Sequence, residues 1–244
     1  MIRNQKKLSE VSAAAQEAQL SPTEKVLVQY EQSASWMKEN RQKVIGGAVV
    51  LVAIVAGLFL WQSKKQEDAE RAETLLSRIQ PYYQSASWRL AIDGDQTNRI
   101  QNEPIAGLRQ IVNEYGSTKA GQMAALALGN AYYYIGKLDS ALMAYDNVST
   151  DLPLIKASAS AGKAAILEDK GNKEESAKLF MSAGGVEEAN PLDAEYYYAA
   201  GRNYEASGKK DEAIKWYRKV VEEYTGTYYE DASKRALLRL GVQL

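Results

Sequence analysis

The chain has 244 residues, with 30 Lys and Arg against 31 Asp and Glu, for a formal net charge of -1. Such a balance offers no bulk field to draw nucleic acid or anionic lipid. Cys and His are both absent, which excludes disulfides, thiol nucleophiles, zinc enzymes and the Ser-His-Asp and Cys-His hydrolases.

Residues 1–20 are polar and rich in Ala and Gln, and are expected to be mobile. Ser21, Pro22, Thr23 and Glu24 then form a helix start: a capping hydroxyl, Pro at the first helical position and Glu at the third. The helix is expected to run over 21–40. Val26, Leu27, Tyr30, Ala34 and Met37 fall on one face, which suits lipid headgroups, a partner's loops or a plain lead-in helix.

The run VIGGAVVLVAIVAGLFLW, residues 44–61, carries no charge. Its eighteen residues at about 1.5 Å each span about 27 Å, close to a hydrocarbon core. Trp36 and Trp61 stand near its ends, where aromatic rings favour the interface. A core helix of this length would carry polar residues. A signal peptide would have a far shorter charged lead and a small-x-small site behind it. A single transmembrane anchor is therefore expected. Gly46, Gly47 and Gly57 mark a face that a partner helix can approach. Flanking basic residues are equal on the two sides, while residues 1–43 carry net +2 and residues 62–244 net -3, a weak lean toward a cytoplasmic N-terminus.

Beyond Lys65 the apolar rhythm is helical. Residues 66–90 are expected to form one or two connecting helices broken near Pro81, within a connector over 62–102. Glycines recur at Gly136, Gly171 and Gly208. Each has Tyr132, Leu167 or Tyr204 four residues before it, a small residue five after it (Ala141, Ser176, Ala213) and an aromatic nine after it (Tyr145, Phe180, Tyr217). The glycine ends one helix, the small residue admits the next, and the aromatic fills the gap between neighbours. Leu128, Gly129 and Pro153 add to the likeness, and the pattern resembles the tetratricopeptide repeat. Residues 103–115 are expected to form the second helix of a divergent repeat. Residues 229–240 are expected to close the array, with Lys234, Arg235 and Arg239 outward. The expected fold is all-α: one N-terminal transmembrane helix followed by a tetratricopeptide-repeat α-solenoid over 103–244.

In such a solenoid the first helix of each hairpin forms the concave wall. Alignment on the turn glycines puts Leu126, Asn130, Tyr133 and Tyr134 there, then Ala161, Ala165, Glu168 and Asp169, then Tyr198, Arg202 and Glu205. About half of the tyrosines in 132–134 and 196–198 must be core. The wall suits peptide segments better than a small molecule. Carboxylate chemistry on peptidoglycan would need Glu168 or Glu205 in a closed pocket, which an open superhelix lacks. No catalytic, cofactor or metal residue is nominated. No strand is evident to carry a phosphate loop, and no basic patch with interleaved aromatics points to nucleic acid.

The order of tail, anchor and repeats is similar to the YfgM family of bacterial inner-membrane proteins. So are the stretches IDGD (92–95) and GLRQIVNEYGSTKAG (107–121), which match that family's divergent first repeat in its Bacteroidetes versions. The resemblance implies a periplasmic repeat domain and a cytoplasmic N-terminus. It also implies a non-catalytic role as an ancillary subunit of the SecYEG translocon, beside the membrane chaperone PpiD, acting on emerging secreted polypeptides. The alternative is a structural scaffold in another envelope complex.

Overall fold

The computed structural model describes residues 21–187 and 190–243. The segment expected to be mobile, 1–20, lies outside them. The chain divides into two units, Met1–Ser63 and Lys64–Leu244.

The first unit holds helix α1 (Pro22–Glu39) and the beginning of α2 (Arg41–Gln84). The Ser21 carbonyl accepts the first helical bond, from Lys25 N–H at 3.0 Å, so the helix starts where the Ser-Pro-Thr-Glu signal puts it. Helix α2 is long and apolar enough to cross a membrane, and none of its apolar window is buried. Phe59 is 73% exposed and Leu60 68%. In water each such side chain forgoes about 1.5–3 kcal/mol of burial. Open space surrounds Gly46, Gly47 and Gly57.

The second unit is built from antiparallel helix pairs. They are α5 (Lys119–Tyr134) with α6 (Leu138–Asp146), α7 (Pro153–Asp169) with α8 (Lys173–Ala183), and α9 (Asp193–Ala206) with α10 (Lys210–Glu223), followed by α11 (Tyr228–Arg239). Between the helices of each pair sits a turn glycine with positive φ: Gly136 at 74°, Gly171 at 85° and Gly208 at 80°. In each turn its N–H bonds the carbonyl three residues back, and the next N–H bonds the carbonyl five back, at 2.9–3.0 Å. These bonds satisfy carbonyls that a helix end leaves without partners.

Two further turns follow the same scheme. Gly241 N–H bonds the Leu238 carbonyl and Val242 N–H that of Leu237, both at 3.0 Å. At the other end, Ala86 has φ 55°, its N–H bonds the Tyr83 carbonyl at 3.1 Å, and Ser87 N–H bonds that of Tyr82 at 2.9 Å. Five residues on stands Ala91, completely buried, in the place of Ala141, Ser176 and Ala213. The array thus begins earlier than the expected connector allows. The C-terminal part of α2 is the first helix of a further pair, and α3 (Trp88–Asp93) begins its second.

That second helix is interrupted. Strands β1 (Gly94–Ile100) and β2 (Glu103–Ala106) pair antiparallel, and the helix resumes as α4 (Leu108–Tyr115). The expected helix over 103–115 is therefore corrected: its first four residues are strand. Gln101 and Asn102, with φ 54° and 67°, make the two-residue turn whose twist matches paired strands. The hairpin is tied to α2 by charge and by burial. Glu103 accepts from Arg71 at 2.7 Å and from Arg78 at 3.0 Å, which holds its carboxyl below the usual range. Tyr82 donates to Asp95 at 2.7 Å. Ile105 and Ala106 are buried in one cluster with Leu75, Ile79, Leu108 and Ile111. The expected break near Pro81 falls at 85–87, between α2 and α3. Helix α2 continues to Gln84, so Pro81 lies within its last turn, where only the bond to the Ser77 carbonyl is forfeited.

The small residues expected at the helix crossings, Ala141, Ser176 and Ala213, are completely buried. The Ser176 hydroxyl donates to the Ala164 carbonyl at 2.7 Å, which satisfies the one polar member of the set. The Tyr145 ring lies against both Gly129 and Gly162, where a Cβ would overlap it, so one aromatic seals two successive hairpins.

Ala86→Gly should raise stability by about 0.5–1 kcal/mol in urea unfolding, because relief of a left-handed alanine outweighs the added entropy of the unfolded chain. Ala91→Leu should lower it by about 1–3 kcal/mol through overpacking.

Candidate peptide-binding groove

The same register that stacks the pairs also aligns their first helices. Leu126, Asn130, Tyr133 and Tyr134 of α5, Ala161, Ala165, Glu168 and Asp169 of α7, and Tyr198 and Arg202 of α9 line one open groove of about 820 Å³. Small residues of α7, with Ser158 and Gly162 among them, form its middle. Aromatic rings stand toward its ends. Tyr134 is 63% exposed and stacks on Trp88 with centroids 4.6 Å apart. Tyr198 and Tyr229 meet at 5.7 Å. The division expected among the tyrosines appears here too, since Tyr196 and Tyr197 are buried while Tyr134 is open.

One rule links the wall together. The residue three before each turn bonds the first helix of the next pair. Tyr83 accepts from Asn130 Nδ2 at 3.0 Å, and Tyr133 donates to Asp169 at 2.8 Å. Glu168 accepts from Arg202 at 2.7 Å, and Glu205 accepts from Arg239 at 2.8 Å. The last rung explains why Glu205, unlike the other nominated wall residues, does not line the groove. Its carboxylate is taken by Arg239 of α11 and by the Tyr217 hydroxyl at 2.8 Å, and Arg239 chiefly holds it below the usual carboxylate range. Asn130 lines the groove with its amide already engaged, accepting from the Tyr145 hydroxyl at 2.7 Å.

Glu195, Tyr196 and Tyr229 also line the groove but were not singled out by the repeat alignment. Tyr229 stands twelve residues before Gly241, as Tyr196 stands twelve before Gly208. Extending the wall to the position twelve before each turn, and counting Gly241 as a turn, is the signal that would have found it. Burial first, then the bond to Asp169, pushes the Tyr133 hydroxyl up to about 12. Burial first, then the charge of Glu195, pushes Tyr229 up to about 12. Burial raises Tyr145, Tyr217 and Tyr224 further still.

The profile of the tetratricopeptide repeat-like domain family matches residues 34–240. The chain belongs to this family. Its domains bind protein partners and are typically non-catalytic scaffolds. A search of curated proteins finds no match. Among solved structures, the tetratricopeptide array is similar to the nearly identical TPR-like repeats of a Podosopora anserina protein designated a kinesin light chain. One crystal structure, of a point variant, has a TM-score of 0.53 and 17% identity over 70% of this chain and 85% of that one. The other has a TM-score of 0.50 and 16% identity over 70% and 86%. At such identity the likeness is one of fold.

Raised tyrosines favour the folded state up to their ordinary value and lose that contribution as pH rises through their folded values. The tetratricopeptide array should therefore melt at a steady temperature through neutral pH and lose helicity from pH about 10 upward, followed by circular dichroism. Glu205 acts in the opposite sense: its contribution is present above its ordinary value near 4.5 and fades as pH falls through the lower folded value. Glu205→Gln should cost about 1 kcal/mol at neutral pH, discounted for an exposed Arg239 partner, and abolish that acid dependence.

Proposed function

We propose that this protein is a membrane-anchored adaptor that holds polypeptide segments in the groove of its tetratricopeptide array. The observation that carries the reading is the groove itself. Three successive hairpins present it as one open wall with aromatic ends and a small-residue middle, which fits a chain segment better than a compact metabolite. Leu126, Tyr133, Tyr134, Glu168, Tyr198 and Arg202 are its contact residues, and Asn130 supports them. Residues 44–61 are the anchor, for which an unburied apolar helix is the support. Gly46, Gly47 and Gly57 form the face for a neighbouring membrane helix.

The setting is a bacterial inner membrane, with residues 1–43 cytoplasmic and the array periplasmic. The resemblance to the YfgM family supports this placement. On that resemblance the protein is an accessory subunit of the SecYEG translocon that works beside a PpiD-like chaperone on emerging secreted polypeptides.

Photo-crosslinkers at Tyr134 and Gly57, with partners identified by mass spectrometry, test the assignment. Translocon subunits from Gly57 and unfolded secreted chains from Tyr134 are expected. Recovery of cell-division or outer-membrane assembly proteins instead would replace the translocon role with a scaffold role. Protease added to spheroplasts should degrade the array, and its protection would reverse the orientation.

A further inference from the structure

The groove's charges are not balanced, and this bears on what it takes. Its lining holds three carboxylates, Glu168, Asp169 and Glu195, against one guanidinium, Arg202. Arg202 is committed to Glu168 at 2.7 Å, and Lys173 stands 4.0 Å from the same carboxylate. That leaves Asp169 and Glu195. Among the described residues neither has a Lys or Arg within ion-pair distance, and both side chains are exposed. Each is instead beside a tyrosine of the wall. The Tyr133 hydroxyl donates to Asp169 at 2.8 Å, and Tyr229 lines the groove with Glu195, whose charge helps to raise its hydroxyl.

An exposed carboxylate beside a tyrosine and without a basic partner can take a cation. At Asp169 the Tyr133 hydroxyl uses one lone pair and orients the group, and at both carboxylates the remaining lone pairs accept from an ammonium or guanidinium. The two sites lie on different helices, one on α5 and α7 and the other on α9 and α11. The small side chains of Ala161, Gly162 and Ala165 leave room near the groove's middle for a backbone to pass. An acidic segment would meet two uncompensated negative charges.

We infer that the groove selects extended segments carrying Lys or Arg, with one cationic side chain at the Tyr133–Asp169 pair and a second at the Tyr229–Glu195 pair. This rests on the groove being the binding surface and adds the chemistry of its ligand.

The test uses the full chain in nanodiscs of neutral phosphatidylcholine, so that basic peptides gain nothing from the lipid. The probes are three short fluorescein-labelled peptides alternating Leu with Lys, Gln or Glu, read by fluorescence anisotropy. The Leu-Lys peptide should bind tightest and the Leu-Glu peptide weakest, with the difference shrinking as salt is added. Asp169→Asn and Glu195→Gln keep an acceptor for the tyrosine and remove the charge. Each should weaken the Leu-Lys peptide by about three- to ten-fold and leave the Leu-Gln peptide unchanged, with melting curves like the parent's. Equal binding of the Lys and Gln peptides would overturn the cation preference and leave the groove standing. Tight Leu-Lys binding that neither substitution weakens would place the cations elsewhere and overturn it too. Failure of all three peptides to bind would remove the groove reading itself.

Discussion

A pair of antiparallel helices has two apolar faces and its own contact covers only one of them, so each pair must lend its open face to a neighbour. In this protein that loan is made by a few side chains at fixed offsets from a left-handed turn. The small residue after the turn lets the two helices touch. The aromatic four residues further on reaches past its own pair, as Tyr145 does in lying against both Gly129 and Gly162. The residue three before the turn then bonds the next first helix. Four turns obey this last rule with three different chemistries, from a phenol accepting an amide to a carboxylate accepting a guanidinium. The geometry persists because it belongs to the backbone register, while the polar groups only have to satisfy one another.

The N-terminal pair shows how far the scheme bends. Its turn is Ala86 instead of glycine, and its second helix is opened by a fourteen-residue excursion, 94–107, most of it a β-hairpin. The pair survives because the parts on either side of the excursion still bury their own apolar residues, Ala91 and Ile92 before it and Leu108 and Ile111 after it, against α2. The hairpin itself is polar and exposed along β1. It is held by Glu103 between two arginines and by Asp95 under Tyr82. Ile105 and Ala106 are its only investment in the core among the described residues. At the other end α11 serves as one more first helix, and its Arg239 completes the ladder by taking Glu205.

The wall that results is the surface on which the adaptor reading rests. The side chains that line it stand on the same helices that carry the packing residues, one or two positions away, so the surface is as rigid as the stack. Two of its four charges neutralise each other in the free protein, and of the other two Asp169 is held by Tyr133 while Glu195 stands exposed. That arrangement leaves the groove open, oriented and acidic.

Much of this was legible in the sequence. The apolar run, the three glycine-centred repeats and nearly the whole groove wall follow from periodicity, because a helix of fixed pitch converts spacing directly into a face. The first pair was hidden by two local exceptions. An alanine stands where the turn demands φ of 55°, and a Gln-Asn turn carries none of the glycine that marks such hairpins. Both conformations are imposed by the packing around them, so no local signal announces them. The same reason explains Glu205. Its offset from the turn is that of Tyr133 and Glu168, and only the arrival of α11, thirty-four residues later, turns a wall position into a structural ion pair. Spacing along the chain determined which residues share a face. Which of those faces stayed open, and which charges were left without a partner, was decided by contacts between residues far apart in sequence.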